Sequence, residues 1–304
     1  MPTSTAKSIE YLRSDHFDPV TESPPKYPPS LKLVQLGFKT LAPAFPKQAA
    51  KIAYRLFSTP RFRARHKTSD KLLESARIFE FLYGKHVLKG YEWGSGEQTI
   101  LLVHGWESRG TALRTFVPNL VERGYRVVAF DGPAHGDSAG KRTNLIHFAG
   151  AVRAALRQTG QVHGMITHSF GGASTVYALS KMKEPIAIEK LVLIAVPHSI
   201  KRVLDDTIHL FRLPKAAARE FYRLIEKRLQ ANVQETEVTT SQGKKYVGEA
   251  LIVHDEEDPV VEFESAKHIY EHWDNAALLA TKGYGHYRLM KNPDLIRRVA
   301  EFMG

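Results

Sequence analysis

The most informative segment of the chain is Thr167-His168-Ser169-Phe170-Gly171-Gly172. Residues 161–166 before it have the pattern of a buried strand, and residues 173–179 after it have the pattern of a helix. A serine on a sharp turn from strand to helix, surrounded by small residues, is typical of a nucleophile elbow. The serine backbone at such a turn is strained and left-handed, so that the hydroxyl stands clear of the sheet. Gly171 fits this pattern, because a larger side chain there would collide with the neighbouring strand.

Position 167 departs from the usual G-x-S-x-G pattern, since Thr167 stands where the first glycine is expected. Threonine is β-branched and therefore suited to a strand. A serine before two glycines also occurs in ordinary turns. The elbow is therefore a hypothesis that the rest of the sequence has to support.

From about residue 85 onward, strand patterns alternate with helix patterns. Continuous apolar runs such as Leu191–Val196 suit strands that are covered on both faces. The alternation predicts an α/β fold with a doubly wound, mainly parallel sheet. The strands are predicted at His86–Trp93, Thr99–His104, Tyr125–Asp131, Gln161–His168, Lys190–Val196, Ala250–His254 and Ala277–Thr281.

The interval between Val196 and Ala250 is too long for a simple crossover. It contains helical patterns at Ile200–Phe211 and Lys215–Gln230. An insertion at the carboxyl ends of parallel strands lies over the site that these ends form. We therefore predict a helical cap at about residues 197–248, within a main domain of residues 85–304. The apolar residues of the cap either hold it to the core or line an acyl pocket.

Residues 1–84 are predicted to form a basic N-terminal extension. Prolines exclude a regular helix from residues 1–30, which we expect to be extended or disordered. Helical patterns follow at Leu31–Leu41 and Gln48–Phe57, and Ser69 is a plausible N-cap of a further helix that ends near Tyr83.

The positive charge is concentrated in this extension. Residues 1–90 contain 16 Lys and Arg against 7 Asp and Glu, out of a net charge of +11 for the chain. We expect its densest part, Arg61–Lys67, to be a solvated basic face. Weak contact with an anionic membrane is the alternative. No nucleic-acid partner is predicted, because no pattern of a nucleic-acid module accompanies the charge.

Composition excludes several classes of protein. The chain of 304 residues contains no cysteine, so disulfides, thiolate metal sites and a cysteine nucleophile are excluded. No apolar run is long enough to span a membrane, and residues 1–8 lack the apolar core of a signal peptide. We expect a cytoplasmic location, with peripheral membrane attachment as the alternative.

A serine hydroxyl is a weak nucleophile until a base removes its proton. His286 is the predicted base, because it lies in a glycine-rich loop after the last predicted strand. The orienting acid should lie past the end of the preceding strand, and Asp258 is preferred there, with Asp255 in reserve. The order Ser169, Asp258, His286 is the nucleophile–acid–histidine order of one hydrolase architecture and not of the others.

Backbone N–H groups should stabilise the oxyanion that forms when a carbonyl is attacked. Phe170 follows the serine at the start of the predicted helix, and Trp106 follows the strand that ends near His104. We predict that the N–H groups of Trp106 and Phe170 form the oxyanion hole. His104 itself is expected to brace its loop.

Five short motifs together resemble the α/β-hydrolase fold superfamily, over residues 86–304. They are His104–Trp106, Asp131–Ser138, the elbow at Ser169, the Asp258 loop and the loop of Gly285 and His286. The resemblance implies a Ser-Asp-His triad, no cofactor and acyl-transfer chemistry, and it is nearest to bacterial esterase-like hydrolases of unassigned substrate.

Metal-ligating residue types also occur together at Asp131, His135 and Asp137. No second ligand cluster at metal-site spacing accompanies them, so we predict no metal site. The resemblance favours a turn that passes near the active site.

The predicted activity is hydrolysis of a small-molecule carboxylic ester or thioester through an acyl-enzyme. Amide hydrolysis, carbon–carbon hydrolysis and acyl transfer are alternatives on the same scaffold. A non-catalytic ligand receptor, or a membrane-surface interaction protein that works through the basic extension, is an alternative of another class. The oligomeric state is left open.

Overall fold

The computed structural model describes residues 8–13, 18, 22–23, 27–66, 70–182 and 186–304. Its centre is a sheet of nine strands in the order β1-β9-β8-β7-β6-β4-β5-β3-β2. Neighbours pair in parallel from β1 to β5, and β3 pairs antiparallel with both β5 and β2. The strands are β1 (Ile9–Tyr11), β2 (Arg77–Tyr83), β3 (His86–Trp93), β4 (Thr99–Val103), β5 (Arg126–Phe130), β6 (Gly164–His168), β7 (Ile188–Ile194), β8 (Val247–Asp255) and β9 (Ala276–Thr281).

Helices cover both faces of the sheet. They are α1 (Ser30–Leu41), α2 (Pro46–Phe57), α3 (Lys71–Glu74), α4 (Val117–Glu122), α5 (Leu145–Thr159), α6 (Phe170–Ser180), α7 (Ile200–Phe211), α8 (Lys215–Leu229), α9 (Glu264–His272), α10 (Gly285–Arg288) and α11 (Pro293–Met303). Short 3₁₀ helices lie at Gly110–Phe116, Val233–Thr236, Gln242–Tyr246 and Leu289–Lys291.

The central strands are buried on both faces, as their continuous apolar sequence predicts. Along β4, Leu101 and Val103 belong to one apolar core, and Ile100 and Leu102 belong to the other. This alternation follows from the two-residue period of a strand. One core contains the buried faces of α1, α2 and α5 to α9, and the other contains those of α4 and α11. The doubly wound, mainly parallel sheet is thereby confirmed.

The prediction of a helix that ends near Tyr83 is wrong. Its proposed N-cap, Ser69, lies outside the described residues, and Asp70 caps the short helix α3 instead by accepting the N–H of Leu73. From Arg77 the chain forms β2, which pairs with β3 through a turn at Gly84, where φ is 57°. Aromatic residues at alternating positions along β2 favour the strand over the helix.

The segment that was predicted to be extended or disordered contributes the strand β1. Ile9–Tyr11 pairs in parallel with β9 and forms one edge of the sheet, while β2 forms the other edge. The same sheet therefore contains strands from both sides of the predicted boundary at residues 84 and 85. The division of the chain into an extension and a main domain remains a prediction.

The helices α1 and α2 pack on the helices between β7 and β8. Phe38 contacts Phe211 with ring centroids 5.9 Å apart, and Phe57 contacts Phe221 edge-on at the same distance. The Arg228 guanidinium lies 4.2 Å from the centre of the Tyr54 ring. The N-terminal helices thus cover the α7–α8 segment, which lies within the predicted cap. None of the helices in the described part of the chain combines the length and the apolar content needed to cross a bilayer.

Candidate active site

Ser169 lies on a strained turn between β6 and α6. Its φ of 51° and ψ of −125° place a non-glycine residue in the positive-φ region, where side chains are disfavoured. A side chain at Gly171 would put its Cβ 2.3 Å from the carbonyl oxygen of His104, so only glycine lets α6 approach the end of β4 this closely. The backbone therefore has the geometry that was predicted for a nucleophile elbow.

The structure explains why threonine is tolerated at position 167. Thr167 is fully buried, and its hydroxyl donates a hydrogen bond of 2.9 Å to the carbonyl of Val192 on β7. A Cβ at Gly172 would lie 3.0 Å from this hydroxyl oxygen. Gly172 thus leaves the room that Thr167 occupies.

The predicted acid and base meet as a buried pair. His286 Nδ1 lies 2.7 Å from Asp258 Oδ2, and both side chains are almost fully buried. With the N–H of Nδ1 donated to the carboxylate, Nε2 is the nitrogen that can accept a proton. The backbone N–H groups of Val260 and Val261 donate to the other oxygen of Asp258 and fix the carboxylate.

Asp258 is held in its charged form. Burial pushes the pKa of its carboxyl upward, but the hydrogen bonds from His254 and His286 outweigh burial and bring the pKa well below its ordinary value. His254 was not predicted as part of the site, and its Nε2 lies 3.4 Å from Asp258 Oδ2. A histidine four residues before the acid was the signal available in the sequence.

Asp255, the reserve candidate, has a different role. Its carboxylate is buried and accepts hydrogen bonds from the hydroxyl of Thr281 and from the backbone of Gly283 and Tyr284. It therefore braces the loop that leads to His286, and it makes no hydrogen bond to the His286 side chain among the described residues.

The residues predicted to donate to the oxyanion, Trp106 and Phe170, lie beside the elbow. A Cβ at Gly105 would lie 3.2 Å from Ser169 Cβ, so the loop that contains Trp106 passes directly against the serine. The rings of Trp106 and Phe170 meet edge-on at 5.4 Å. Within the described ranges, neither the Trp106 N–H nor the Phe170 N–H donates a hydrogen bond to the protein. Both are thus available to an oxyanion.

His104 and His286 differ in the contacts that they make near the elbow. His104 braces its loop as expected, since Nδ1 contacts the carbonyl of Gly105 and Nε2 accepts the N–H of Gly132. The predicted hydrogen bond between the Ser169 hydroxyl and His286 is not formed in the part of the chain that the structure describes. The loop of His286 is nevertheless joined to the elbow, because His168 Nε2 lies 3.0 Å from the His286 carbonyl oxygen.

His168 is a neighbour of His286 that sequence reasoning missed. Its ring lies 4.7 Å from that of His286, and burial, followed by the proximity of His286, lowers the pKa of His168 to about 3. His168 is therefore neutral at physiological pH. A neutral ring can contact His286 without opposing the positive charge that a general base acquires.

Glu22 fixes the backbone of the His286 loop. Its carboxylate accepts hydrogen bonds from the backbone N–H groups of His286, Tyr287 and Arg288, at distances from 2.8 to 3.2 Å. These N–H groups belong to the short helix α10, where a negative charge is favourable at the start. No sequence signal links Glu22 to residues more than 260 positions away.

Residues 61–66, which we call the strap, contact the loops on the other side of the elbow. Arg61 donates to both carboxylate oxygens of Glu107, the neighbour of Trp106, and this carboxylate is largely buried. Arg63 donates to the carbonyls of Ser138 and Gly140. The part of the predicted basic face that the structure describes thus forms specific internal contacts, and Lys67 lies outside the described residues.

His66 ends the strap in a buried network. His66 Nε2 lies 3.1 Å from Asp131 Oδ2, which also accepts the Tyr91 hydroxyl and the N–H of Asp137, while Asp131 Oδ1 accepts the N–H of Gly110. Burial raises the pKa of Asp131, but these hydrogen bonds outweigh it and lower the pKa below its ordinary value.

Two of the residues with metal-ligating side chains in the sequence, Asp131 and Asp137, take part in this hydrogen-bond network. The ligand atoms of His66, Asp131 and Asp137 lie within 4.8 Å of one another, yet both oxygens of Asp131 already accept hydrogen bonds. His135, the third candidate from the sequence, contacts the Pro133 carbonyl through Nδ1 and accepts the N–H of Glu107 at Nε2. The arrangement is a junction between the strap and the loops near the elbow.

A serine on a strained strand-to-helix turn, at the carboxyl edge of a mainly parallel sheet and near a buried acid–histidine pair, defines a hydrolase scaffold. The chain belongs to the alpha/beta hydrolase family, whose sequence model matches residues 100–299. The expected superfamily is thus confirmed, and membership supports hydrolase activity.

Comparisons with individual proteins agree with this family. A non-heme haloperoxidase from Rhodococcus erythropolis is 32% identical over 111 residues, which cover 35% of this chain and only 39% of that enzyme. An esterase from Pyrococcus furiosus has a similar structure, with a TM-score of 0.61, 22% identity, and coverage of 81% of this chain and 97% of the esterase. A meta-cleavage product hydrolase from Pseudomonas fluorescens has a TM-score of 0.53 and 18% identity, over 74% and 96% of the two chains. These structural similarities concern the fold.

Proposed function

We propose that this chain is a serine hydrolase that cleaves a carboxylic ester or thioester through an acyl-enzyme. Ser169 is the nucleophile, His286 the general base and Asp258 the acid that orients the imidazole. The observation that carries the proposal is the buried hydrogen bond of 2.7 Å between His286 and Asp258, formed beside a serine at positive φ. The mechanism requires no cofactor.

In the first half-reaction, the Ser169 hydroxyl attacks the substrate carbonyl while His286 Nε2 takes its proton. Asp258 favours this step because its negative charge stabilises the imidazolium. The hydroxyl has to rotate towards His286, since catalytic hydrogen bonds often form only with substrate bound. The N–H groups of Trp106 and Phe170 hold the oxyanion, and each donor of this kind is worth roughly 10²–10³-fold in turnover.

In the second half-reaction, the imidazolium has given its proton to the leaving alcohol or thiol, and His286 takes a proton from water. The resulting hydroxide attacks the acyl-enzyme and releases the acid and the free serine. Thioesters and esters share this chemistry. In the cleavage of an amide or a carbon–carbon bond, the leaving group has to be protonated as it departs. These two reactions are alternatives to be tested on the same protein.

A fluorophosphonate probe tests the nucleophile. The wild-type chain should be labelled at Ser169, and turnover of a short-chain p-nitrophenyl ester should fall by at least about 10⁴-fold in Ser169→Ala. Ser180→Ala is the matched control, because Ser180 lies at the other end of α6 and its hydroxyl donates a hydrogen bond to the Tyr177 carbonyl. Undiminished labelling of Ser169→Ala would contradict the proposal.

A panel of substrates then tests the bond that is cleaved. We expect short-chain esters and thioesters to be turned over, and anilides of the same acyl groups to be turned over far more slowly. Ligand binding without turnover of any ester, by a chain whose Ser169 is not labelled, would instead support the receptor alternative.

A further inference from the structure

The helices α1 and α2 expose large apolar side chains to solvent. Leu33 is 72% exposed, Phe45 57% and Ile52 54%, although the opposite sides of both helices are packed. We call the exposed side of these two helices, with the loop between them, the outer face. Its large apolar residues are Leu33, Leu36, Leu41, Phe45, Ile52 and Leu56. A contiguous set of exposed apolar residues commonly marks an interaction surface.

The sequence of α2 shows how these residues are arranged. Ala49, Ala50 and Ala53 are buried on the inner side of the helix, where Phe57 contacts Phe221 on α8. Ile52 and Leu56 are one turn apart along the edge of this buried side, and they are 54% and 38% exposed. A helix packed on a protein usually places polar residues on its solvent side. Ile52 and Leu56 thus leave part of their apolar surface in contact with solvent.

Basic residues flank the apolar residues. Lys47, Lys51 and Arg55 repeat every four residues and form a row along α2, and α1 adds Lys32 and Lys39. All are exposed. Long basic side chains beside an apolar row are typical of a helix that lies in the plane of a membrane surface.

No negative charge of the outer face balances these cations. The sequence from residue 23 to residue 69 contains ten Lys and Arg and no Asp or Glu. On α7 and α8, exposed cations form ion pairs such as Lys201 with Asp205 and Arg223 with Glu220. In the described part of the chain, none of the outer-face cations forms such a pair. These cations are therefore accessible to an anionic partner.

We propose that the outer face docks on an anionic lipid surface. Leu33, Phe45 and Ile52 would enter the boundary between headgroups and acyl chains, and the flanking Lys and Arg would contact lipid phosphates. A second copy of the chain would bring two equally positive faces together, which is unfavourable. A nucleic acid would satisfy the charges but would leave exposed leucine and isoleucine side chains without suitable contacts.

Vesicle co-sedimentation of the full chain tests the proposal. The probe is a set of vesicles made either of phosphatidylcholine alone or of equal parts phosphatidylcholine and phosphatidylglycerol. We expect binding to the anionic vesicles that weakens as salt is added. The variant Lys47→Gln/Lys51→Gln/Arg55→Gln should bind about 100-fold more weakly, and Leu33→Ser/Ile52→Ser should also bind more weakly.

The matched control removes the same charge from the opposite side of the sheet. Arg123, Lys291 and Arg297 are exposed near α4 and α11, so Arg123→Gln/Lys291→Gln/Arg297→Gln should bind like the wild type. Urea unfolding of every variant checks that the fold is kept.

Three results would overturn the proposal. The first is wild-type binding that is equal for the two kinds of vesicle. The second is an equal loss of binding in the control and the outer-face variants. The third is self-association, measured by analytical ultracentrifugation, that the Leu33→Ser/Ile52→Ser variant abolishes, because it would assign the face to a second copy.

Discussion

The strap and the outer face come from the same acid-free part of the sequence, yet their charges have different surroundings. Arg61 contacts Glu107 through two carboxylate oxygens, and His66 contacts Asp131 in a buried network. The cations of α1 and α2 are exposed and form no ion pair in the described ranges. The density of positive charge in the sequence therefore does not identify the partner of a cation; the carboxylates that the fold brings near it do.

The strap and the outer face also differ in which parts of the molecule they contact. The strap, together with Glu22, contacts the loops on both sides of Ser169. The outer face is turned to solvent, and the inner sides of α1 and α2 contact α7 and α8. Bidentate arginine–carboxylate pairs are directional and hold their partners in place. We therefore expect changes at the site-facing contacts to alter catalysis, and changes on the outer face to leave the soluble reaction as it is.

Among the contacts of Glu22, the strap and the outer face, the largest effect on kcat is expected at Glu22. Glu22→Ala removes the acceptor of the N–H groups of His286, Tyr287 and Arg288, so the imidazole is no longer held in position. A misplacement of about 1 Å costs roughly 10²-fold in rate, and we expect kcat for a p-nitrophenyl ester to fall by about that factor with little change in KM.

Glu22→Gln should recover part of this loss, because the side-chain carbonyl still accepts hydrogen bonds. Glu10→Ala is the matched control, since Glu10 also comes from the N-terminal region but pairs with Arg298 away from the site. Equal kcat values for Glu22→Ala and the wild type would show that Glu22 does not position His286.

A smaller effect is expected at Arg61. Arg61→Ala leaves the largely buried Glu107 carboxylate without its bidentate partner, next to the loop that contains Trp106. We expect kcat to fall by about 10-fold, and Arg61→Lys to restore only part of it because lysine lacks the planar fork. Steady-state kinetics measures both.

Arg65→Ala is the control within the strap, because Arg65 and its partner Asp137 are both exposed and such pairs contribute about 0–1 kcal/mol. If Arg65→Ala and Arg61→Ala reduced kcat equally, the effect would belong to the charge of the strap rather than to the Arg61–Glu107 pair.

Acidification should lower the stability of the folded chain through His135. Burial, with a further contribution from His104, lowers the pKa of His135 to about 3 from an ordinary 6.5. Between these values the unfolded chain binds a proton at His135 that the folded chain does not. The stability therefore rises with pH in this window, and it is lost as the pH falls from 6.5 towards 3.

Urea unfolding at a series of pH values measures this linkage. His135→Gln should reduce the slope of the unfolding free energy by up to about 1.4 kcal/mol per pH unit, which corresponds to one proton. His168, whose pKa is also lowered to about 3, should keep part of the slope. The outer-face variant Lys47→Gln/Lys51→Gln/Arg55→Gln should show the wild-type slope, and a slope unchanged in His135→Gln would contradict the assignment.

The sequence predicted those features that depend on local pattern. The strand His86–Trp93 and the helix Ile200–Phe211 have the predicted bounds. The elbow at Ser169 has the predicted backbone. β1 was missed because three residues are too few to show an alternation. β2 was missed because Ser69 and Asp70 favour the start of a helix just before its alternating aromatic residues.

Contacts between distant residues could not be predicted. Arg61 and Glu107 are separated by 46 positions, and Glu22 and His286 by 264, and only the folded sheet brings them together. For the acid, the sequence favoured Asp258 over Asp255, and the structure shows which contacts each of them makes. Asp255 is the last residue of β8 and Asp258 lies in the loop that follows. Their hydrogen bonds in the folded chain distinguish the residue that braces the backbone from the residue that contacts the imidazole.

The smallest effect is expected on the outer face itself. Lys47→Gln/Lys51→Gln/Arg55→Gln should change kcat and KM for a soluble ester by less than a factor of two and the stability by no more than about 0.5 kcal/mol, because exposed residues without partners contribute little to either. Steady-state kinetics without vesicles and urea unfolding measure these quantities. A kcat as low as that of Arg61→Ala would mean that α2 acts on the catalytic loops through α8. The functional separation between the strap and the outer face would then be wrong, even though their contacts differ.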